Sequence, residues 1–148
     1  MNRIAFMLLP LVGGALLAVQ APVNARLRTV LRSALAAGLI SFVFGSFLLL
    51  ALTSIAGQIG AVSRVGDGPW WAYVGGLCGT ALVVGTLIAS PRIGVLATFV
   101  SVIVGEVVTA VAIDRFGWFG VSRIPITWDR LAAIALLTVS LGLIVRRQ

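Results

Sequence analysis

ALAAGLISFVFGSFLLLALTSIAG, residues 34–57, runs for 24 residues without a charged side chain. A helix rises about 1.5 Å per residue, so about 20 apolar residues cross the hydrocarbon core of a bilayer. Outward from this run the pattern repeats at 4–21, 70–89, 93–113 and 131–145. The runs are continuous rather than alternating, so each must satisfy its own backbone as a helix instead of pairing as a strand. The last run is short, but Arg130 and Arg146 can snorkel from its ends, and the helix can begin nearer Ile126. The sequence therefore predicts an all-α, polytopic membrane helical bundle forming a single membrane domain over 1–148. Its five transmembrane helices are expected at about 4–24, 34–57, 70–89, 93–113 and 127–145.

Composition excludes a soluble alternative. Of 148 residues, 60% are hydrophobic and 10% charged, where a soluble domain carries about 25% charged residues. So few ionic groups cannot cover so much apolar surface in water. The net charge of +7 comes from 11 arginines against four acids. These arginines flank apolar runs, where they meet lipid phosphates; no basic patch suited to nucleic acid is gathered. Cys78 is the single cysteine and histidine is absent, which leaves no disulfide, zinc or thiol-redox spacing. No metal or cofactor is expected, and Cys78 reads as packing. With no triad, paired catalytic carboxylates or phosphate-cradling loop, the chain does not read as an enzyme.

The connections differ in kind. Arg3, an apolar core and small residues near Ala21 resemble a signal peptide, but Gln20 and Asn24 lie four residues apart and continue a polar face along the helix. This favours a retained first helix, kinked or ended near Pro22. Residues 58–69 read as a Gly- and Ser-containing loop. Ser90-Pro91-Arg92 reads as a tight turn, making the third and fourth helices an antiparallel hairpin. The stretch 114–130 mixes Phe116, Trp118, Phe119 and Trp128 with arginines, the mark of an interfacial segment. Gly75, Gly76 and Gly79, with Gly38 and Gly45, form small faces that permit close helix approach in lipid, within one subunit or between two.

Orientation is nearly unspecified. With five spans, one side carries Arg3, Arg64, Arg115, Arg123 and Arg130, and the other carries Arg26, Arg28, Arg32, Arg92, Arg146 and Arg147. The positive-inside rule finds almost no bias in that split. Insertion both ways, followed by antiparallel pairing, is one consequence. The other is a single orientation with the N-terminus outside, if Asp67, Asp114 and Asp129 offset neighbouring arginines.

Glu106 is the one ionisable residue well inside an apolar run. A charged acid at a helix centre costs about 2.5–3.5 kcal/mol on insertion scales, and such residues mark ion paths and proton relays. Exchange of a proton for a cation at Glu106 would couple their movements. Thr109, one turn away, could hydrogen-bond it; otherwise the carboxyl only ties helices together. Gln20 and Asn24 either line a substrate path or bond the next helix. Trp70, Trp71 and Tyr73 form an aromatic belt or a cation–π platform. Asp114 and Arg115 read as a local pair or a gate.

Several fragments together resemble the short, YdcZ-like branch of the drug/metabolite transporter superfamily. They are Gln20-Ala21-Pro22-Val23-Asn24-Ala25-Arg26-Leu27, Ser41-Phe42 with Gly45, Pro69-Trp70-Trp71 with Tyr73, Gly75, Gly76 and Gly79, Pro91-Arg92-Ile93-Gly94, and Asp114-Arg115-Phe116-Gly117 with Gly120. The resemblance covers nearly the whole chain. It implies a bacterial inner-membrane protein related to the small multidrug transporter repeat, assembled as an antiparallel homodimer or as a heterodimer with a paralogous short chain. It also implies transport of a small organic cation, metabolite or drug, often by proton exchange. The family's pattern more often has Gln at the position of Glu106. This chain therefore either has a proton-exchanging group there or needs only a hydrogen-bonding side chain. The expected function is secondary transport, with a narrow channel or a non-transporting partner subunit as alternatives.

Overall fold

The computed structural model describes residues 3–146. Four α-helices appear in the order α1 (Arg3–Leu31), α2 (Ala34–Ile55), α3 (Gly75–Phe116) and α4 (Trp128–Val145), with 3-10 helices at Ile59–Asp67, Trp70–Val74 and Trp118–Gly120. No strand occurs among the described residues. All four α-helices are long and apolar enough to cross a membrane. The fold is an all-α polytopic membrane bundle.

The helix α1 has 29 residues and continues past Pro22, where the sequence suggested a kink or an end. Proline removes one N–H and crowds the preceding turn, but it does not forbid helix beyond it. Here the continuation is held by packing: Leu27 lies against the buried cluster of Ala37, Val83 and Leu87. At about 43 Å, α1 exceeds the ~30 Å hydrocarbon core, so one end must enter the headgroup layer. It stops where Arg32 adopts φ 53°. Ser33 then caps α2, its Oγ accepting from the Ala36 N–H at 3.2 Å. That interaction satisfies one of the orphan donors of the new helix.

The loop expected at 58–69 is largely helical. A nine-residue 3-10 helix fills Ile59–Asp67, and a second occupies Trp70–Val74, so the α-conformation of α3 starts at Gly75 rather than at residue 70.

The tight turn expected at Ser90-Pro91-Arg92 is absent. The 42-residue α3 continues through Pro91 and breaks at Gly94, with φ 74° and ψ 158°. That backbone region is essentially restricted to glycine, which explains why the break falls three residues beyond the proline. Thr98 Oγ1 donates to the Gly94 carbonyl at 2.7 Å, one turn further on. With 42 residues, α3 holds about twice the helix that one crossing of the hydrocarbon core needs. Its arms, 75–93 and 95–116, are each long enough to cross alone, so the chain has the material of five spans.

Two compact units are distinguished, Met1–Ile88 and Ala89–Gln148, with the boundary inside α3. In the first, small residues bring helices together: a Cβ on Gly38 would sit 3.6 Å from Val84 Cγ2, and one on Gly79 would sit 4.0 Å from Phe42 Cζ. Gly75 and Gly76 face open space. In the second, α3 ends at Gly117 in the left-handed region (φ 66°), whose N–H donates to Ile113 O at 2.8 Å. An extended stretch then leads into α4.

Candidate functional site

Gln20, Asn24 and Arg28 follow one another at four-residue intervals along α1, and so share one face of it. The first two converge on a single atom of α2. Gln20 Nε2 donates to Ser41 Oγ at 3.2 Å and Asn24 Nδ2 donates to the same oxygen at 3.1 Å. Asn24 is 5% exposed, beside buried Ala21. Two amides and a hydroxyl thus form a polar knot between apolar helices, where polar groups are retained only when bonded. Ser41 was not singled out as a site residue from sequence; a hydroxyl in a run of Phe, Leu and Val is the signal that marks it.

Arg28 completes the ridge. Its Nη1 donates to the main-chain carbonyl of Leu87, on α3, at 2.9 Å. Leu87 is fully buried. In an uninterrupted helix this carbonyl would accept the N–H of residue 91, but residue 91 is proline and has none. The guanidinium therefore supplies a donor that the sequence of α3 withholds. Sequence reading counted Arg28 only as a topological charge. The pairing was legible in principle, because a proline inside an apolar run always frees the carbonyl four residues earlier.

The remaining residues proposed from sequence are placed separately. Trp70 and Trp71 lie on the short 3-10 helix before α3 and are exposed, and Tyr73 donates its hydroxyl hydrogen to Val65 O. Glu106 and Thr109 lie on the second arm of α3, in the second unit, and both are exposed. No hydrogen bond joins Thr109 to Glu106, and Glu106 has no ion pair among the described residues. A charged carboxyl in the middle of an apolar span is costly unless it is paired, wetted or protonated.

Asp114 does not pair with Arg115. Its Oδ2 accepts from Arg130 Nη1, on α4, at 2.8 Å, and both side chains are about one-third exposed. The Asp114 carbonyl also accepts the Ile124 N–H at 2.9 Å. Adjacent residues in a helix diverge by about 100°, whereas the chain reversal at Gly117 returns α4 to the end of α3. One aspartate thereby pins both ends of the intervening segment. Phe116 and Trp118 stack at its start, with ring centroids 5.3 Å apart. Arg115 is exposed.

Comparison with known proteins adds one match. The family described as "Putative inner membrane exporter, YdcZ" matches residues 5–144. Neither the curated proteins nor the solved structures contain a significant match.

Proposed function

Because the chain belongs to the family described as "Putative inner membrane exporter, YdcZ", we propose that it exports a small organic metabolite or drug as a secondary transporter built from two antiparallel copies. It is a multi-pass protein of the inner membrane, with apolar helices throughout. Glu106 carries the finer reading. Its carboxyl is exposed midway along 95–116, and residues 102–108 around it are otherwise valine, isoleucine and glycine. In hydrocarbon that exposure is costly, about 2.5–3.5 kcal/mol if the group is charged. A second copy laid against this arm would cover Glu106 and enclose a polar path. Proton exchange at the carboxyl would then couple substrate movement to the proton gradient.

The nearly even arginine split supports insertion in both orientations, and hence an antiparallel pair. The Gln20–Asn24–Ser41 knot supplies further polar groups inside the spans of each copy. No fixed charge accompanies this knot except Arg28, which favours a small ligand with few formal charges over a polyanion or large sugar.

The test is Glu106→Gln, which keeps volume and hydrogen bonding but cannot release a proton. In proteoliposomes bearing a proton gradient, the wild-type chain should couple proton flux to the addition of small organic cations, and the variant should fold but lose that flux. A fully active Glu106→Gln protein would end the proton-carrier reading and leave hydrogen bonding as the role of this side chain.

A further inference from the structure

The segment between α2 and α3 is amphipathic, and its 3-10 geometry sharpens the pattern. In a 3-10 helix there are three residues per turn, so side chains three apart eclipse one another and form straight ridges. Within Ile59–Asp67 this gives three distinct faces. Ile59, Val62 and Val65 form an apolar ridge; Gly60, Ser63 and Gly66 form a small one; Ala61, Arg64 and Asp67 carry the charges. At 3.6 residues per turn the same residues would still separate, but the apolar ones would fan over about 120° instead of lining up in one straight ridge. The sequence is amphipathic with a period of three.

The apolar ridge is unpartnered by the chain itself. Ile59, Val62 and Val65 are 46%, 59% and 62% exposed. Nor is the segment a loose loop. Tyr73 folds back to bond Val65 O, and a Cβ on Gly68 would lie 2.7 Å from the Tyr73 hydroxyl, so a larger residue there would make the ring shift. Trp70 is 78% exposed immediately beyond it. Nine residues is long for a 3-10 helix, which rarely persists past three or four. A flat boundary that rewards a straight apolar ridge would offset its poorer hydrogen-bond geometry.

The position of the segment identifies that boundary. It joins α2 directly to α3, both membrane-spanning, so its two ends are held at one face of the bilayer. The ridge continues a surface already in lipid, since Ile55 at the end of α2 and Leu77 in the first turn of α3 are also exposed. We infer that residues 59–71 form an amphipathic foot, its Ile59–Val62–Val65 ridge and Trp70 inserted among acyl chains at the headgroup boundary. The Arg64 and Asp67 face is turned to the aqueous side. The partner is the lipid leaflet itself. An interfacial helix of this kind buries its apolar face about 5–10 Å into the boundary, which would fix how deep the adjoining ends of α2 and α3 sit.

The experiment is a nitroxide scan. Single cysteines are introduced at each position from 59 to 67 in a full-length Cys78→Ser chain, labelled and reconstituted into liposomes. Collision rates are then read with molecular oxygen, which partitions into lipid, and with a water-soluble nickel chelate. The foot predicts oxygen maxima at 59, 62 and 65 and nickel maxima at 64 and 67, a period of three. Uniform nickel access would overturn it, showing a loop in water. Low access to both reagents at 59, 62 and 65 would also overturn it, showing a protein surface over the ridge. Should labelling disturb the fold, tryptophan quenching by interfacially brominated lipids in a Trp118→Phe, Trp128→Phe chain supplies a second reading. Strong quenching of Trp70 and Trp71 is expected, and its absence would refute the inference.

Discussion

Replacing Arg28 by methionine removes the donor from Leu87 O while keeping an unbranched apolar stem for packing. The carbonyl belongs to a fully buried residue and has no helical donor, because position 91 is proline. Interhelical hydrogen bonds in membrane proteins average about 0.6 kcal/mol and reach about 1.7 kcal/mol. A charged donor on an otherwise orphaned acceptor belongs at the upper end, since breaking the bond also strands the carbonyl. Arg28→Met should therefore cost about 1.5 kcal/mol, roughly tenfold in the unfolding equilibrium constant. The cause can be isolated with Pro91→Ala, which restores an N–H to the position that normally serves Leu87 O. In that background the carbonyl keeps a partner, and Arg28→Met should cost no more than about 0.5 kcal/mol. The coupling of about 1 kcal/mol is the quantity to measure, by reversible denaturation in mixed micelles across the four-member cycle. Equal penalties for Arg28→Met in both backgrounds would refute the reasoning, because the arginine would then stabilise by charge or packing alone.

Ser41→Ala strips the common acceptor from both Gln20 and Asn24, and should destabilise by about 1 kcal/mol while impairing export more than its effect on folding explains; transport assays normalised to folded protein would separate the two. Gly117→Ala forces a side chain onto φ 66° and within 2.7 Å of Arg123 Cγ, so a loss of about 1–2 kcal/mol is expected in thermal melts, whereas Gly75→Ala, with nothing within 4 Å, should be neutral or slightly stabilising. Asp114→Asn should weaken the grip on Arg130 yet spare the Ile124 backbone bond, and faster proteolysis within 117–127 would report it. C-terminal reporter fusions should appear on both sides of the membrane, and two arginines added to one side should lock a single orientation; a single fixed location that ignores added charge would rule out dual insertion.

Much of the fold was legible because lipid imposes a simple rule: an uncharged run of span length must be helical. Residues 34–57 and 131–145 follow it closely, and α2 and α4 lie there. What local sequence hid was where proline and glycine act. Pro22 read as a kink or an end and Pro91 as part of a tight turn, but each is carried inside a helix. At Pro91, the orphaned carbonyl found a donor 59 residues away along the chain, which no local window contains. Gly94 looked like an ordinary small residue, and only its positive φ shows it to be the break. The Ile59–Asp67 helix was hidden because Gly60, Ser63, Gly66 and Gly68 are residues that ordinarily mark a loop.

The candidate site divides the same way. Gln20 and Asn24 were legible because four-residue spacing puts them on one face, but their acceptor was not, since Ser41 becomes relevant only when α2 packs on α1. Asp114 was recognised and its partner mistaken: sequence neighbours point apart on a helix, while Arg130 is brought near by the turn at Gly117. Glu106 is exposed midway along its apolar arm, and its proposed role depends on what a second chain would bring to it.

The most direct test of that role is energised transport in everted inner-membrane vesicles, using a panel of small amine and quaternary ammonium cations as probes. The account predicts saturable accumulation of at least one probe in vesicles carrying the chain, collapse of that accumulation when a protonophore is added, and its loss with Glu106→Gln. Absence of accumulation for every probe, or a non-saturating leak indifferent to the protonophore and to Glu106, would contradict it.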